Sequence, residues 1–187
     1  TIFFDPDWPR KRLRRPAPTL GAAPDAPSRW QRAALVFAAA WIVLQIAIPL
    51  RYTLYPGPVI WHEQGMRWAW KVMVREKNGA VSFRVRWDGR ERETRVPPSR
   101  YLTKAQEREM SGQPDLILQL AHHIGDDFVK KGRARRVAVY VDALVSLNGR
   151  APARLIDPDV NLLTVRDGVA PAGWILPAPD GPPLRAR

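Results

Sequence analysis

Residues 33–50 read AALVFAAAWIVLQIAIPL. These eighteen residues carry no charge, and only Gln45 and the terminal Pro49 interrupt their apolar character. A membrane-crossing helix needs roughly 17–25 such residues to cover a hydrocarbon core about 30 Å thick. Arg29 and Arg32 stand before the run and Arg51 after it, with Trp30, Tyr52 and Tyr55 placed as interfacial aromatics. A secretory signal peptide fits poorly: a long Pro/Arg-rich segment precedes the run, and no small-residue cleavage site follows it. A buried core helix is the bland alternative. The expectation is a single transmembrane helix over residues 33–52.

The flanks give its direction. Residues 1–32 hold Arg10, Lys11, Arg12, Arg14, Arg15, Arg29 and Arg32, whereas no Lys or Arg follows Arg51 until Arg67. Positive charge stays on the cytoplasmic side, so residues 1–32 are expected in the cytoplasm and residues 53–187 in the exoplasm or periplasm, as in a bacterial inner membrane. The run RKRLRR at 10–15 would lie on anionic headgroups, at about 1 kcal/mol per basic residue near the surface. A nucleic-acid arm is the rival for that run, but topology signalling beside a span explains it more simply. Pro16 to Ser28 (PAPTLGAAPDAPS) reads as a loop.

The composition agrees. The chain has 187 residues, 30 Lys+Arg against 18 Asp+Glu, a net charge of +12 and no cysteine. Lack of cysteine excludes disulfides, thiolate metal sites and a cysteine nucleophile within this chain. The excess charge points to phosphates. With a span in place, the partner is the lipid bilayer, and no nucleic acid is expected. Thr1-Ile2-Phe3-Phe4 reads like the tail of an apolar segment, so a fragment or a processed product is expected.

Beyond the span the pattern is that of an α+β domain, an antiparallel sheet with two helices over residues 53–177, followed by a frayed tail over 178–187. Arg67 to Arg75 alternates, with Trp68, Trp70, Val72 and Val74 on one face. Asn78-Gly79 is a hairpin signal, Val81 to Trp87 alternates again, and Asp88-Gly89 turns into Glu91–Val96. Together these predict a three-stranded meander with one apolar and one cationic face. Thr103 and Gln106 form a capping box for a short helix to about Met110. Pro114-Asp115 opens a second, with Leu116, Ile117, Leu120, Ile124 and Phe128 at helical spacing and a stop at Gly132. Val137 to Leu147 reads as a long strand turning at Asn148-Gly149, with Leu155-Ile156 in its partner.

No side-chain set announces chemistry. His122 and His123 diverge by about 100° on a helix, and His62 lies elsewhere, so no metal site is expected. Asp126-Asp127 and Asp157-Pro158-Asp159 read as helix-end and turn residues rather than as an acid–base pair. Neither a nucleophile elbow nor a phosphate-binding glycine loop is present. The tryptophans are more informative: Trp61, Trp68, Trp70 and Trp87 fall within 27 residues directly after the span. Their structural role would be the apolar face of the meander, with Trp61 as an interfacial anchor. Their functional role would be an aromatic site at the membrane surface, where Arg67, Lys71, Arg84 and Arg86 meet an acidic substrate.

The order of motifs resembles a known family. DPDWPR at 5–10, the basic loop and the span are followed by WHEQGMRWAWKVMVREK at 61–77, VSLNGR at 145–150, LIDPDV at 155–160 and WILP at 174–177. This is similar to the C-terminal portion of the vitamin K-dependent gamma-carboxylases, whose bacterial relatives share the multi-span HTTM membrane domain. The resemblance implies that reduced vitamin K is oxygenated in a membrane domain, and that the base so formed deprotonates a peptide glutamate, which then takes up CO2. The catalytic lysine would lie upstream, so no residue here, Lys71 included, inherits that role, and a vitamin K-type quinone would bind in that membrane domain rather than in this chain. A glutamate-binding pattern like W-x3-GLYGYSW-x-MM is matched by Trp61, Trp70 and Met73. Gln64, Gly65, Met66, Arg67 and Trp68 stand where its tyrosine-rich part would be. The resemblance thus implies substrate contacts from Trp61, Trp70, Met73, Arg67 and Lys71, and structural roles for Asp157, Pro158, Val160 and Trp174. Two roles follow: the last span and substrate-binding domain of such an enzyme, next to its upstream transmembrane bundle, or a non-catalytic single-span subunit of a larger membrane complex.

Overall fold

The structure, a computed structural model, describes residues 26–71, 76–88, 90–132 and 136–181. Helix α1 runs Arg29–Leu50. It starts four residues before the apolar run because Ser28 and Gln31 cap it reciprocally: the Ser28 amide donates to Gln31 Oε1 at 2.8 Å and the Gln31 amide to Ser28 Oγ at 3.3 Å. Its apolar side chains, Leu35, Val36, Phe37, Trp41, Ile42 and Val43 among them, are exposed. The core helix of a globular domain would be covered on one side, so that alternative is overturned; this helix is long and apolar enough to cross a membrane. After Leu50 the backbone tightens into a 3₁₀ turn, Arg51–Leu54. A boundary between two compact units falls within α1, after Leu44.

From Gln45 onward the chain is an α+β domain. Helix α2 is one turn, Val59–His62. Strands β1 (Lys77–Trp87) and β2 (Arg90–Val96) form a hairpin. Helices α3 (Lys104–Ser111) and α4 (Pro114–Lys130) lead to β3 (Val137–Leu147) and the short β4 (Ala153–Arg154). The sheet order is β2-β1-β3-β4, every pair antiparallel. One face carries Phe83, Val85, Val139, Val141, Ala143 and Val145, all fully buried, and α4 covers it with Ile117, Ala121, Ile124 and Phe128. The expected capping box at Thr103 is present, and α4 opens on Pro114 as its spacing requires.

The meander needs correction. Residues 65–70 form turns, not a strand, and residues 72–75, with most of the expected alternation, lie outside the described residues. Asn78-Gly79 is no hairpin tip: it lies inside β1, opposite Ser146 and Val145 of β3. Eleven consecutive pairs between β1 and β3, from Lys77↔Leu147 to Trp87↔Val137, outweigh the local turn preference. Gly79 is glycine for a different reason: a Cβ there would sit 2.5 Å from the Ser111 carbonyl oxygen. The partner expected at Leu155-Ile156 begins earlier, at Ala153–Arg154, with the Leu155 amide continuing the pairing to the Ala143 carbonyl. The ordered chain also passes 177: Ala178 packs on the core, and Arg150 Nε donates to the Gly181 carbonyl at 3.1 Å.

The cationic strand face is largely neutralised. Arg84 pairs with Glu93 at 3.3 Å and Asp142 at 3.0 Å, and also donates to the Pro158 carbonyl. Arg86 pairs with Glu93 at 2.5 Å. Burial alone would raise the Glu93 carboxyl; the two arginines instead hold it below the ordinary range.

Candidate functional site

The turn after α1 organises a cleft of about 430 Å³. Arg51 reaches across to the segment that follows α2, its Nη2 donating to the Arg67 carbonyl at 2.9 Å and its Nε to the Gly65 carbonyl at 3.4 Å. Gly65 has φ +70, and a Cβ on it would lie 2.8 Å from Tyr52 Cα. Only glycine allows that approach. The third wall is residues 165–175. Tyr55 Oη donates to the Val169 carbonyl at 3.0 Å, and Gln64 grips the loop twice, donating to the Ala170 carbonyl and accepting from the Ala172 amide. Asp115, in the first turn of α4, closes the rim and pairs with Arg67.

Three arginines therefore border the cleft: Arg51, Arg67 and Arg166. The carboxylates opposing them are Glu63, Asp115 and Asp167. Glu63 is held by Lys77 and Asp115 by Arg67, whereas Arg51 spends its hydrogen bonds on carbonyls. The Lys77–Glu63 pair is the most buried charge pair among the described residues: Nζ is 2.7 Å from Glu63 Oε1, 2.5 Å from the Trp61 carbonyl and 2.9 Å from the Gly112 carbonyl. It joins α2, β1 and the end of α3.

His62 lies against the cleft and is buried. Its Nδ1 accepts from the Gln64 amide at 3.1 Å, so the neutral ring carries its proton on Nε2. Nε2 has no hydrogen bond of normal geometry. Burial, aided by the Lys77 charge, holds the imidazole below its ordinary pKa; the Gly57 carbonyl pulls the other way.

Residues 30–181, about four-fifths of the chain, match the family described as vitamin K-dependent gamma-carboxylase, lumenal domain. The chain belongs to this family. No curated protein and no solved structure matches it.

The lumenal-domain segment that follows the helix behaves unlike a flat aromatic patch. Trp61 is 1% exposed, so it is no interfacial anchor; its Nε1 donates to the Leu176 carbonyl at 2.8 Å from inside the core. Trp68 and Trp70 are 79% and 70% exposed and do not line the cleft. Trp87 is half-buried, tilted on Phe128 at 5.1 Å. Arg67 does line the cleft. Lys71 sits over the Tyr52 ring at 4.5 Å, and Met73 lies outside the described residues. Of the four expected substrate contacts that lie among the described residues, Arg67 lines the cleft and Trp61, Trp70 and Lys71 do not.

Asp157 and Trp174 of the later motifs make contacts within the fold. Asp157 donates its amide to the Trp174 carbonyl and caps its own turn by accepting from the Asp159 amide. His122 Nε2 lies 2.9 Å from the Val165 carbonyl, and His123 meets Tyr101 edge-on. Asp127 accepts from Tyr101 Oη and Lys131. Among the described residues no cluster of His, Asp and Glu could hold a metal ion. Arg51, His62, Glu63 and the 165–175 loop were not foreseen as site residues, because they meet across about a hundred positions of sequence.

Proposed function

We propose that this chain supplies the last span and the exoplasmic domain of a gamma-carboxylase-like integral membrane protein, with an HTTM-type membrane bundle upstream. The cleft beside the foot of α1 holds the acidic side chain of a peptide substrate. The observation that carries this reading is the pairing pattern in the cleft: Glu63 and Asp115 have cationic partners, while Arg51 has no carboxylate and exposed Arg166 no ion pair among the described residues. Arg51 and Arg166 are thus the charges left for an incoming carboxylate.

The six charged side chains that border this cleft suit a carboxylate better than the ring of a reduced quinone. That chemistry belongs to the membrane part, and the role of this chain is to hold and orient the peptide. The second reading, a non-catalytic single-span subunit, is favoured by the engagement of Glu63 and Asp115 in ion pairs within the domain; turnover by the isolated protein would exclude it.

The test is titration of the full chain in detergent micelles with a glutamate-containing peptide and its glutamine analogue. The glutamate peptide binds tighter, the difference shrinks with salt, and Arg166→Gln removes about fivefold or less, as expected for an exposed charge worth up to ~1 kcal/mol. Equal binding of both peptides would overturn the proposal.

A further inference from the structure

Among the described residues from Gln45 onward, eight large apolar side chains are exposed: Ile46, Leu50, Leu54, Trp68, Trp70, Val129, Leu144 and Val169. Two of them, Val129 near the end of α4 and Leu144 on β3, belong to other elements. The other six gather where α1 ends. Ile46 and Leu50 are on the helix itself. Leu54, 77% exposed, ends the 3₁₀ turn. Trp68 and Trp70 follow the Gly65–Arg67 backbone that Arg51 grips, and Lys71 next to them rests on Tyr52. Val169, 91% exposed, is held by its carbonyl to Tyr55.

Folding has fixed these side chains outward. Trp68 has φ +69, a conformation that bulky residues rarely adopt, and the structure retains it with the indole in solvent instead of turning it into the core. Exposed apolar side chains scattered singly need no explanation, but several on segments that hydrogen bonds tie to the end of one helix do. Here the occupant follows from position: the group begins within four residues of the end of a helix able to cross a bilayer, and Trp is the side chain that favours the headgroup layer.

We infer that Leu54, Trp68, Trp70 and Val169 form a collar that enters the interfacial layer of the bilayer around the foot of α1. The collar sets the height of the domain and holds the cleft, built on the same three segments, at the membrane surface. This inference goes beyond peptide binding and rests on α1 being a span.

Because the chain has no cysteine, single-cysteine variants give clean labelling sites. The full chain is reconstituted in phosphatidylcholine vesicles with an environment-sensitive fluorophore at Leu54→Cys, Trp68→Cys, Trp70→Cys or Val169→Cys. Trp41→Cys serves as the in-span reference, and Leu144→Cys and Val129→Cys as the solvent references. Lipids carrying a nitroxide near the headgroup are the quencher. Labels at the four collar positions lose most of their emission to the quencher, and those at 144 and 129 keep theirs. If the label at 41 is quenched by deeper nitroxides while the collar labels behave like those at 144 and 129, the collar is refuted and the span survives. Collar labels shielded from both water and nitroxide mean that a protein covers them, which also refutes it. A label at 41 that no lipid quencher reaches refutes the span and the collar together.

Discussion

Lys77→Met should destabilise the domain as strongly as the loss of a large core side chain. The Lys77 side chain is 2% exposed, and its ammonium serves the Glu63 carboxylate and two backbone carbonyls at 2.5–2.9 Å. Methionine keeps the aliphatic stem but takes the Lys77 ammonium away from Glu63, 10% exposed, and this donor away from the Trp61 and Gly112 carbonyls. Removing one member of a buried pair costs about 3–5 kcal/mol, far above the ~1 kcal/mol median of exposed pairs. Two abandoned carbonyls at ~1–3 kcal/mol each belong to the same loss and are not added to it. The comparison is Lys131→Ala, which removes a pair of nearly the same length, 2.8 Å, from a lysine that is 49% exposed. Urea unfolding in detergent, followed by tryptophan fluorescence, should give a loss of about 3–5 kcal/mol for Lys77→Met, or about 10–15 °C in Tm, and under ~1 kcal/mol for Lys131→Ala. Equal losses would show that burial does not set the strength of these pairs, and the reasoning would fail.

Three further outcomes follow from the same structure. Gly79→Ala drives a methyl to 2.5 Å from the Ser111 carbonyl, backbone against backbone, so unfolding should come earlier by about 1–3 kcal/mol; an unchanged midpoint would mean that α3 moves freely off β1. His62 is held neutral by burial, so the unfolded chain takes up its proton first as pH falls. Stability should therefore drop from the ordinary histidine value of about 6.5 down to the depressed folded-state value, and a His62→Gln chain compared at about pH 7.5 and about pH 5.5 should lose that part of the slope. Trp68→Asn suits a φ of +69 better than tryptophan does, so it should gain about 0.5–1 kcal/mol in detergent; a loss of that size would show that the indole has a packing role there.

The legible parts of the fold are those fixed by local chemistry. The long apolar helix, the Thr103 cap, the Pro114 start and the long β3 alternation each depend on residues within one or two turns of one another. The misread parts are those where a distant partner decides. Trp68 and Trp70 alternate as a strand would, but Arg51 and Tyr52 hold that backbone in turns. Asn78-Gly79 has hairpin chemistry, yet the β3 register keeps it straight. Of the described residues that line the candidate cleft, Arg67 alone was among the expected substrate contacts. The cleft's other arginines are ordinary in sequence, and Arg166 joins Arg51 through distant contacts to the 165–175 loop from Tyr55, Gln64, His122 and Asp157. The Lys77–Glu63 pair leaves no local signature, since a lysine at the start of a strand is usually a solvated one.

The measurement that tests the central claim most directly is the intact mass of the protein extracted gently from native membranes, with its partners identified. The account predicts a membrane-bound polypeptide well above the 21.2 kDa of this chain, carrying further spans and this domain together. A chain of about 21.2 kDa bound stoichiometrically to other membrane proteins would contradict it and make the domain a docking subunit, and recovery from the soluble fraction would contradict the span itself.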